Sequence, residues 1–272
     1  MAALVWGTAD FLGGLSSRRM AVLAVLFCSQ AIGLALIAVV VVAGGFSLQA
    51  EQVWWGALAG VVGSIGVGLF YAGLAAGAMS LVAPLSACGA LVPVAVAIAG
   101  GERLAALTVA GMALALAGAV LVSRSEGEHL RLTPRVVAMA AGAGVAFGVV
   151  ITTFQQGGQA GDDASMTVVL AARAASLVAT CAALAVTRTG VAAPDRSMLP
   201  LLVGVGLGDT GANVLLAFAS GGGQDALVAV LASLYPVVTV VLARMLLGER
   251  LSTWQAAGVV TALAGVALVS AA

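Results

Sequence analysis

The chain has 272 residues, of which 62% are hydrophobic and only 8% are charged. A globular domain in water carries roughly a quarter charged residues, so this composition excludes a water-facing surface over most of the chain. The formal net charge is zero and the basic residues are scattered, which argues against nucleic acid as a partner. The composition therefore predicts a polytopic membrane protein.

Apolar stretches long enough to span a membrane follow one another along the whole chain. A transmembrane helix needs roughly 20 mostly apolar residues. By that criterion the sequence predicts ten helices, at about 1–15, 20–43, 53–75, 79–100, 105–123, 134–155, 165–187, 199–220, 225–247 and 252–271. The first is expected to be a retained helix and not a signal peptide, because it lacks a basic start and contains Asp10.

A short sequence before the fifth predicted helix recurs before the tenth. The Gly-Glu-Arg-Leu sequence of residues 101–104 returns at 248–251. Aligning Gly101–Ser123 with Gly248–Ser270 gives identical residues at more than half of the positions. This similarity predicts an internal duplication, which is the construction used by many secondary transporters.

The duplication predicts the domain organisation. Residues 1–123 and 135–272 are expected to form two five-helix repeats, joined by a polar loop at 124–134. Because five is odd, the second repeat must enter the membrane from the opposite side, which gives the repeats inverted topology. The predicted fold is all-α, with ten transmembrane helices in two inverted repeats.

Loop arginines predict an orientation in the membrane. A single arginine, Arg103, falls in a predicted loop on the side that carries both termini. The arginines in loops on the other side are Arg18, Arg19, Arg124, Arg131, Arg135, Arg188, Arg196 and Arg250. Since cytoplasmic loops are enriched in basic residues, this count places both termini outside the cell.

Three ionisable side chains fall at membrane depth within predicted helices, where the energetic cost of burying charge makes them candidates for function. Asp10 follows Trp6 by one turn, Arg173 lies in the seventh helix, and Asp209 lies in the eighth with Asn213 one turn later. One interpretation is a structural ion pair that only neutralises Arg173 and Asp209. The other is a water-accessible cavity that binds a polar or zwitterionic substrate or exchanges a proton. Both remain open at this stage.

Prolines interrupt the fourth and ninth predicted helices, which occupy equivalent places in the two repeats. Pro84 and Pro93 lie in the fourth and Pro236 in the ninth. Each removes a backbone donor, which a membrane protein tolerates only beside protein or a cavity. Interrupted helices in matching positions point to a transporter's central site. The side chains next to the breaks, expected at a gate, are Ser86, Ser233 and Tyr235.

An enzyme is the alternative function. Residues 206–209 fit the GxGD pattern of intramembrane aspartyl proteases, in which Asp209 and Asp10 would be the two carboxylates. Those enzymes also need a Tyr-Asp pair and a Pro-Ala-Leu segment, whereas Asp10 follows Ala9 and no Pro-Ala-Leu occurs. Neither a metal nor a cofactor is expected, because the three cysteines lack CxxC spacing and no nucleotide-binding fingerprint stands in a meaningful context. We therefore predict no enzyme.

The chain resembles the EamA-type, ten-helix branch of the drug/metabolite transporter superfamily. The most specific segments are 232–251, the counterpart at 83–104, and the opening Trp6–Phe11. Arg173 is similar to an arginine that this family places in the second helix of a repeat, where the first repeat has Gln30. For Gln30 itself, a hydrogen bond between helices is the expected role.

The resemblance implies a bacterial inner-membrane carrier that exports amino acids, related metabolites or drugs by alternating access. It implies a cavity between the repeats, lined by helices one, three, four, six, eight and nine. Its partners would be a small-molecule substrate and the lipid bilayer, with proton coupling open and a monomer or homodimer as the assembly. It also implies cytoplasmic termini, which conflicts with the loop-arginine count.

Overall fold

The structure is a computed structural model that describes residues 1–76, 79–86, 89, 91–101, 105–122, 133–190, 194–219, 228, 231–232, 234–248 and 252–270. Within these ranges the regular structure is helical and no strand occurs. The helices are α1 (Ala2–Ser17), α2 (Val22–Gly44), α3 (Val53–Ala76), α4 (Met79–Ser86), α5 (Leu91–Ala99), α6 (Ala106–Val122), α7 (Pro134–Gly158), α8 (Asp162–Thr187), α9 (Leu199–Ala219), α10 (Tyr235–Leu247) and α11 (Thr253–Ser270). A 3-10 turn, Ala50–Gln52, precedes α3.

Several of these helices are long and apolar enough to cross a membrane. Among the described residues they are Val22–Gly44, Ala50–Ala76, Pro134–Gly158, Asp162–Thr187 and Leu199–Ala219, and shorter apolar helices accompany them. The chain is therefore an all-helical, polytopic membrane protein, as the composition predicts.

Interruptions were predicted in the fourth and ninth helices. Within region 79–100 the structure describes two helices, α4 and α5. Pro93 is the third residue of α5 and Pro236 the second of α10, positions in a first turn where a missing N–H is tolerated. Of the ninth span, the described helix is Tyr235–Leu247, and most of 220–233 lies outside the described residues. The other helix ends agree with prediction to within three residues, and the total of ten spans stays a prediction.

The glycines that open the two Gly-Glu-Arg-Leu sequences share an unusual backbone conformation. Gly101 has φ +92° and Gly248 has φ +67°, each just after a helix ends. Left-handed conformations of this kind strain residues with a Cβ, so glycine ends both helices at little cost. The remaining residues of both sequences, 102–104 and 249–251, lie outside the described residues.

At several crossings the helices pack through glycines and not through bulky side chains. A Cβ on Gly60 of α3 would meet the backbone oxygen of Ala172 in α8, and one on Gly56 would lie 2.5 Å from the Val168 oxygen. Close backbone approach of this kind requires small residues at the crossing. The glycines of α3 therefore allow α8, which carries Arg173, to lie directly against α3.

Candidate functional site

Six of the predicted site residues line one internal cavity. They are Trp6, Asp10, Arg173, Asp209, Asn213 and Tyr235. The cavity encloses about 70 Å³, which is room for a few water molecules but less than the roughly 300–1,000 Å³ of a typical small-molecule site. The structure thus brings together side chains from α1, α8, α9 and α10 that are distant in sequence.

Arg173 and Asp209 form a buried ion pair at the polar side of the cavity. Arg173 Nη1 donates to Asp209 Oδ2 at 2.7 Å and to Gln30 Oε1 at 2.7 Å. Trp6 Nε1 donates to Asp209 Oδ1 at 3.1 Å. Both carboxylate oxygens of Asp209 are therefore engaged, and the network joins α1, α2, α8 and α9. Gln30 forms the hydrogen bond between helices that was expected of it.

The two members of the ion pair differ in their access to the cavity. The Arg173 side chain is only 4% exposed, whereas that of Asp209 is 20% exposed. Arg173 Nε and Nη2, together with Thr210 Oγ1, are enclosed by protein without a hydrogen-bond partner in the described part of the chain. Arg173 Cδ and Thr210 Oγ1 both lie beside Gly33, at the back of the cavity. Both residues line the cavity, and the carboxylate of the pair is more exposed than the guanidinium.

Asp10 contributes a second carboxyl group, which has no ion-pair partner among the described residues. It lines the cavity and is half-buried, and no described residue forms a hydrogen bond or ion pair with it. Asp209 is close enough to interact with it electrostatically. Arg173 pairs with Asp209 and, within the described ranges, leaves Asp10 without a counter-charge.

The opposite wall of the cavity is apolar. It consists of α3 and α7, with Gly63, Val67, Phe147, Val150, Ile151 and Phe154 facing the space. The sequence did not identify these residues. It does not distinguish an apolar side chain that faces a cavity from one that faces lipid or protein. The glycine series of α3 is the one available signal, since it includes Gly63.

The lining also differs from what the resemblance implies. Gln30 of α2 and Arg173 of α8 add the second and seventh predicted helices to the expected set. Ser86 of α4, which is 1% exposed, contacts Tyr235 without itself lining the space. The sequence therefore predicted most of the polar side of the cavity but not its full helix composition.

At Tyr235, which lines the cavity, a hydrogen bond joins the first and second halves of the chain. The hydroxyl groups of Ser86 in α4 and Tyr235 in α10 are 2.7 Å apart. Edge-to-face ring contacts, with centroids 6.2 Å apart, pack Tyr235 against Phe70 and Phe147. A buried apolar cluster continues beyond them toward the C-terminal end of α1. Ser233, the third predicted gate residue, lies outside the described residues, and Pro84 lies within α4.

We predict that the Ser86–Tyr235 hydrogen bond stabilises this contact between the two halves. Because Ser86 Oγ also donates to the Ala83 oxygen at 2.7 Å, the Tyr235 hydroxyl is the donor to Ser86. Tyr235→Phe and Ser86→Ala are each expected to lower the free energy of unfolding by about 1 kcal/mol. In the double variant the losses should not add, because both remove the same bond. Thermal or denaturant unfolding of the purified protein in detergent tests this, with exposed Ser197→Ala as control, and additive losses would contradict it.

Comparison with known proteins agrees with this architecture. No curated protein matches the chain in sequence. Among 21 solved chains that match in structure, one is a crystal structure of a protein 22% identical to this chain, with a TM-score of 0.74. The match covers 99% of this chain and 98% of the other. At that identity the likeness establishes the fold alone.

The sequence profile of the EamA-like transporter family matches residues 134–271. This region includes α7 to α11, and it holds Arg173, Asp209, Asn213 and Tyr235. The match spans just over half of the chain, which agrees with the resemblance drawn from the sequence. The chain belongs to the EamA-like transporter family.

Proposed function

We propose that this membrane transporter carries a small organic metabolite out of the cell by alternating access around the cavity. The observation that carries the proposal is the convergence of Trp6, Asp10, Arg173, Asp209 and Asn213 on one enclosed space. Ionisable groups inside a membrane bundle are costly, and they mark substrate or ion pathways. The aspartyl protease alternative has no support, because members of this family are transporters and not enzymes.

Two inverted repeats, 1–123 and 135–272, are the proposed basis of the movement. The helix contacts support this division, because most of the contacts among the described helices have a counterpart when the halves are exchanged. The α1–α9 contact corresponds to α3–α7, and α2–α9 corresponds to α3–α8. Three further contacts join equivalent helices of the two halves, namely α2–α8, α4–α10 and α6–α11. The family match supports it too, since it begins at residue 134, one residue before the predicted start of the second repeat at 135.

The proposed cycle opens the cavity to each side in turn. A space of about 70 Å³ holds water but not a metabolite, so substrate must enter through a more open arrangement of the same helices. Ser86 and Tyr235 close one route, and their separation would open it. Asp10, Asp209 and Asn213 would contact substrate, with Trp6 orienting Asp209, while Arg173 would hold Asp209 in place.

Transport is tested by a metabolite comparison followed by reconstitution. Metabolites exported by overexpressing cells and retained by deletion cells would identify the substrate, whose flux is then measured in proteoliposomes with and without an imposed pH gradient. We expect protein-dependent flux that falls at least about tenfold in Asp209→Asn, because the buried Arg173 then lacks its counter-charge. Full flux in Asp209→Asn would contradict the proposed site, and flux that ignores the gradient would exclude proton coupling while leaving facilitated transport.

The membrane and the orientation are also proposed. A bacterial inner membrane fits the family resemblance, with a monomer or homodimer as the assembly. The resemblance favours cytoplasmic termini, whereas the loop arginines favour external ones. A reporter fused to the C-terminus, active on only one side of the membrane, decides between the two.

A further inference from the structure

The two walls of the cavity differ in a way that specifies the chemistry of its occupant. Carboxylates lie on α1 and α9, and aliphatic and aromatic side chains lie on α3 and α7. A molecule that fills the space therefore contacts charge on one side and apolar surface on the other. An amphiphilic molecule is complementary to such a site, because each of its parts meets a wall of matching polarity.

The charge of the polar wall favours a cation. Asp10 faces the cavity without a hydrogen-bond or ion-pair partner in the described ranges, and Asp209 is 20% exposed to it. An ammonium group placed between them would gain a counter-charge that the protein itself does not supply. The Trp6 side chain, whose Nε1 donates to Asp209, places an aromatic ring beside this carboxylate, where a ring favours a cation.

A carboxylate on the substrate would find no equivalent partner. Arg173 is the cation of the cavity, and its Nη1 is already shared between Gln30 and Asp209. Its remaining groups, Nε and Nη2, are enclosed by protein and not presented to the space. A carboxylate would instead approach the like charges of Asp10 and Asp209, at an electrostatic penalty that the low dielectric of the site increases.

From these observations we infer that the cavity selects small amphiphilic monocations, namely aliphatic or aromatic amines without a carboxylate, over the corresponding amino acids. The amine binds between Asp10 and Asp209, and the apolar part lies against Val67, Val150 and Ile151 of the opposite wall. This inference rests on the proposed transport function and narrows its substrate class.

The test uses a matched series of probes that share the 3-methylbutyl group. The probes are 3-methylbutylamine, L-leucine, 3-methylbutanol and 4-methylpentanoate, with ethylamine as a cation that lacks the apolar part. Binding to the purified full-length protein is measured by titration calorimetry, and flux by radiolabelled probe in proteoliposomes. We expect 3-methylbutylamine to bind at least about tenfold more tightly than L-leucine or ethylamine, and to be carried.

Variants of each wall separate the two contributions. Asp10→Asn is nearly isosteric and breaks no hydrogen bond or ion pair within the described ranges, so it should fold, and it should abolish the preference for the amine over L-leucine. Asp195→Asn removes the same charge from an exposed loop and should leave the preference unchanged. Gly63→Val, which narrows the cavity at its apolar wall, should weaken the binding of 3-methylbutylamine more than that of ethylamine. Monodisperse elution and an unchanged unfolding temperature verify the fold of each variant.

The outcomes distinguish a failure of this inference from a failure of the proposed transport function on which it rests. Preference for L-leucine, 4-methylpentanoate or 3-methylbutanol, carried in an Asp209-dependent manner, would overturn the monocation inference and leave the transporter standing. An amine preference that survives Asp10→Asn would also overturn it. If no probe binds or is carried, the inference fails, and the transport function is then judged by the metabolite comparison alone.

Discussion

Asp209→Asn is expected to destabilise the protein more than Arg173→Met, although both break the same ion pair. After Asp209→Asn, a guanidinium that is 4% exposed remains without its counter-charge. Removing one partner of a buried pair costs about 3–5 kcal/mol for this reason. After Arg173→Met, the remaining carboxylate keeps its hydrogen bond from Trp6 and its 20% exposure to the cavity. That variant should lose roughly half as much.

The double variant provides the decisive comparison. With both charges removed, no uncompensated ion is left, so Arg173→Met/Asp209→Asn should be more stable than Asp209→Asn alone. Unfolding in a single detergent, with exposed Asp195→Asn as control, measures all four proteins. If the losses of stability simply add, or if Arg173→Met loses more stability than Asp209→Asn, the two partners do not differ in the way described. Restored stability without restored transport would separate the structural role of the pair from its proposed function.

Gly60→Ala is expected to have the second large effect. Its added methyl would meet the backbone oxygen of Ala172, and would lie 2.9 Å from both the Ala175 Cβ and the Ser176 backbone nitrogen. Backbone atoms cannot rotate away, so α3 and α8 must separate, and overpacking of this kind costs about 1–3 kcal/mol. Because Ala172 precedes Arg173, the same displacement would draw the guanidinium away from Asp209. We expect reduced stability together with loss of transport.

Gly68→Ala is the matched control in the same helix. A Cβ at that position would meet only Leu26 Cδ1, at 3.6 Å, which is an ordinary contact. Alanine also has the higher helix propensity, so Gly68→Ala should leave stability unchanged or raise it by up to about 1 kcal/mol. Unfolding and flux measured side by side test the pair. Equal behaviour of Gly60→Ala and Gly68→Ala would mean that the α3–α8 crossing is looser than described.

Polar residues at membrane depth were the part of the site that the sequence could predict. Burying Asp10, Arg173 or Asp209 in a bilayer is costly whatever the fold, so their positions inside apolar stretches stand out without structural information. The sequence left open whether these residues form an ion pair or line a cavity, and in the structure they do both. Arg173 and Asp209 are paired, and they line the same space as the unpaired Asp10.

The helix breaks show where prediction from sequence was less complete. Pro84 and Pro93 indicated an interruption, but they did not predict that α4 would end at Ser86 and α5 begin at Leu91. Proline removes a hydrogen bond within one helix, whereas the position of the break also depends on the neighbour. A Cβ on Gly89, which lies in the break, would meet the backbone of Gly144 in α7, a contact between residues far apart in sequence.

The sequence by itself determined that this protein is a helical membrane transporter, that its segments 101–123 and 248–270 are similar, and which ionisable side chains lie within apolar stretches. These features follow from local composition and from repetition, which need no knowledge of neighbours. Only the tertiary structure decided that Arg173 is enclosed while Asp10 lacks a partner among the described residues, and that α3 and α7 form the apolar wall. Burial and pairing depend on which helices pack together, and apolar helices of similar composition carry little local information about their partners.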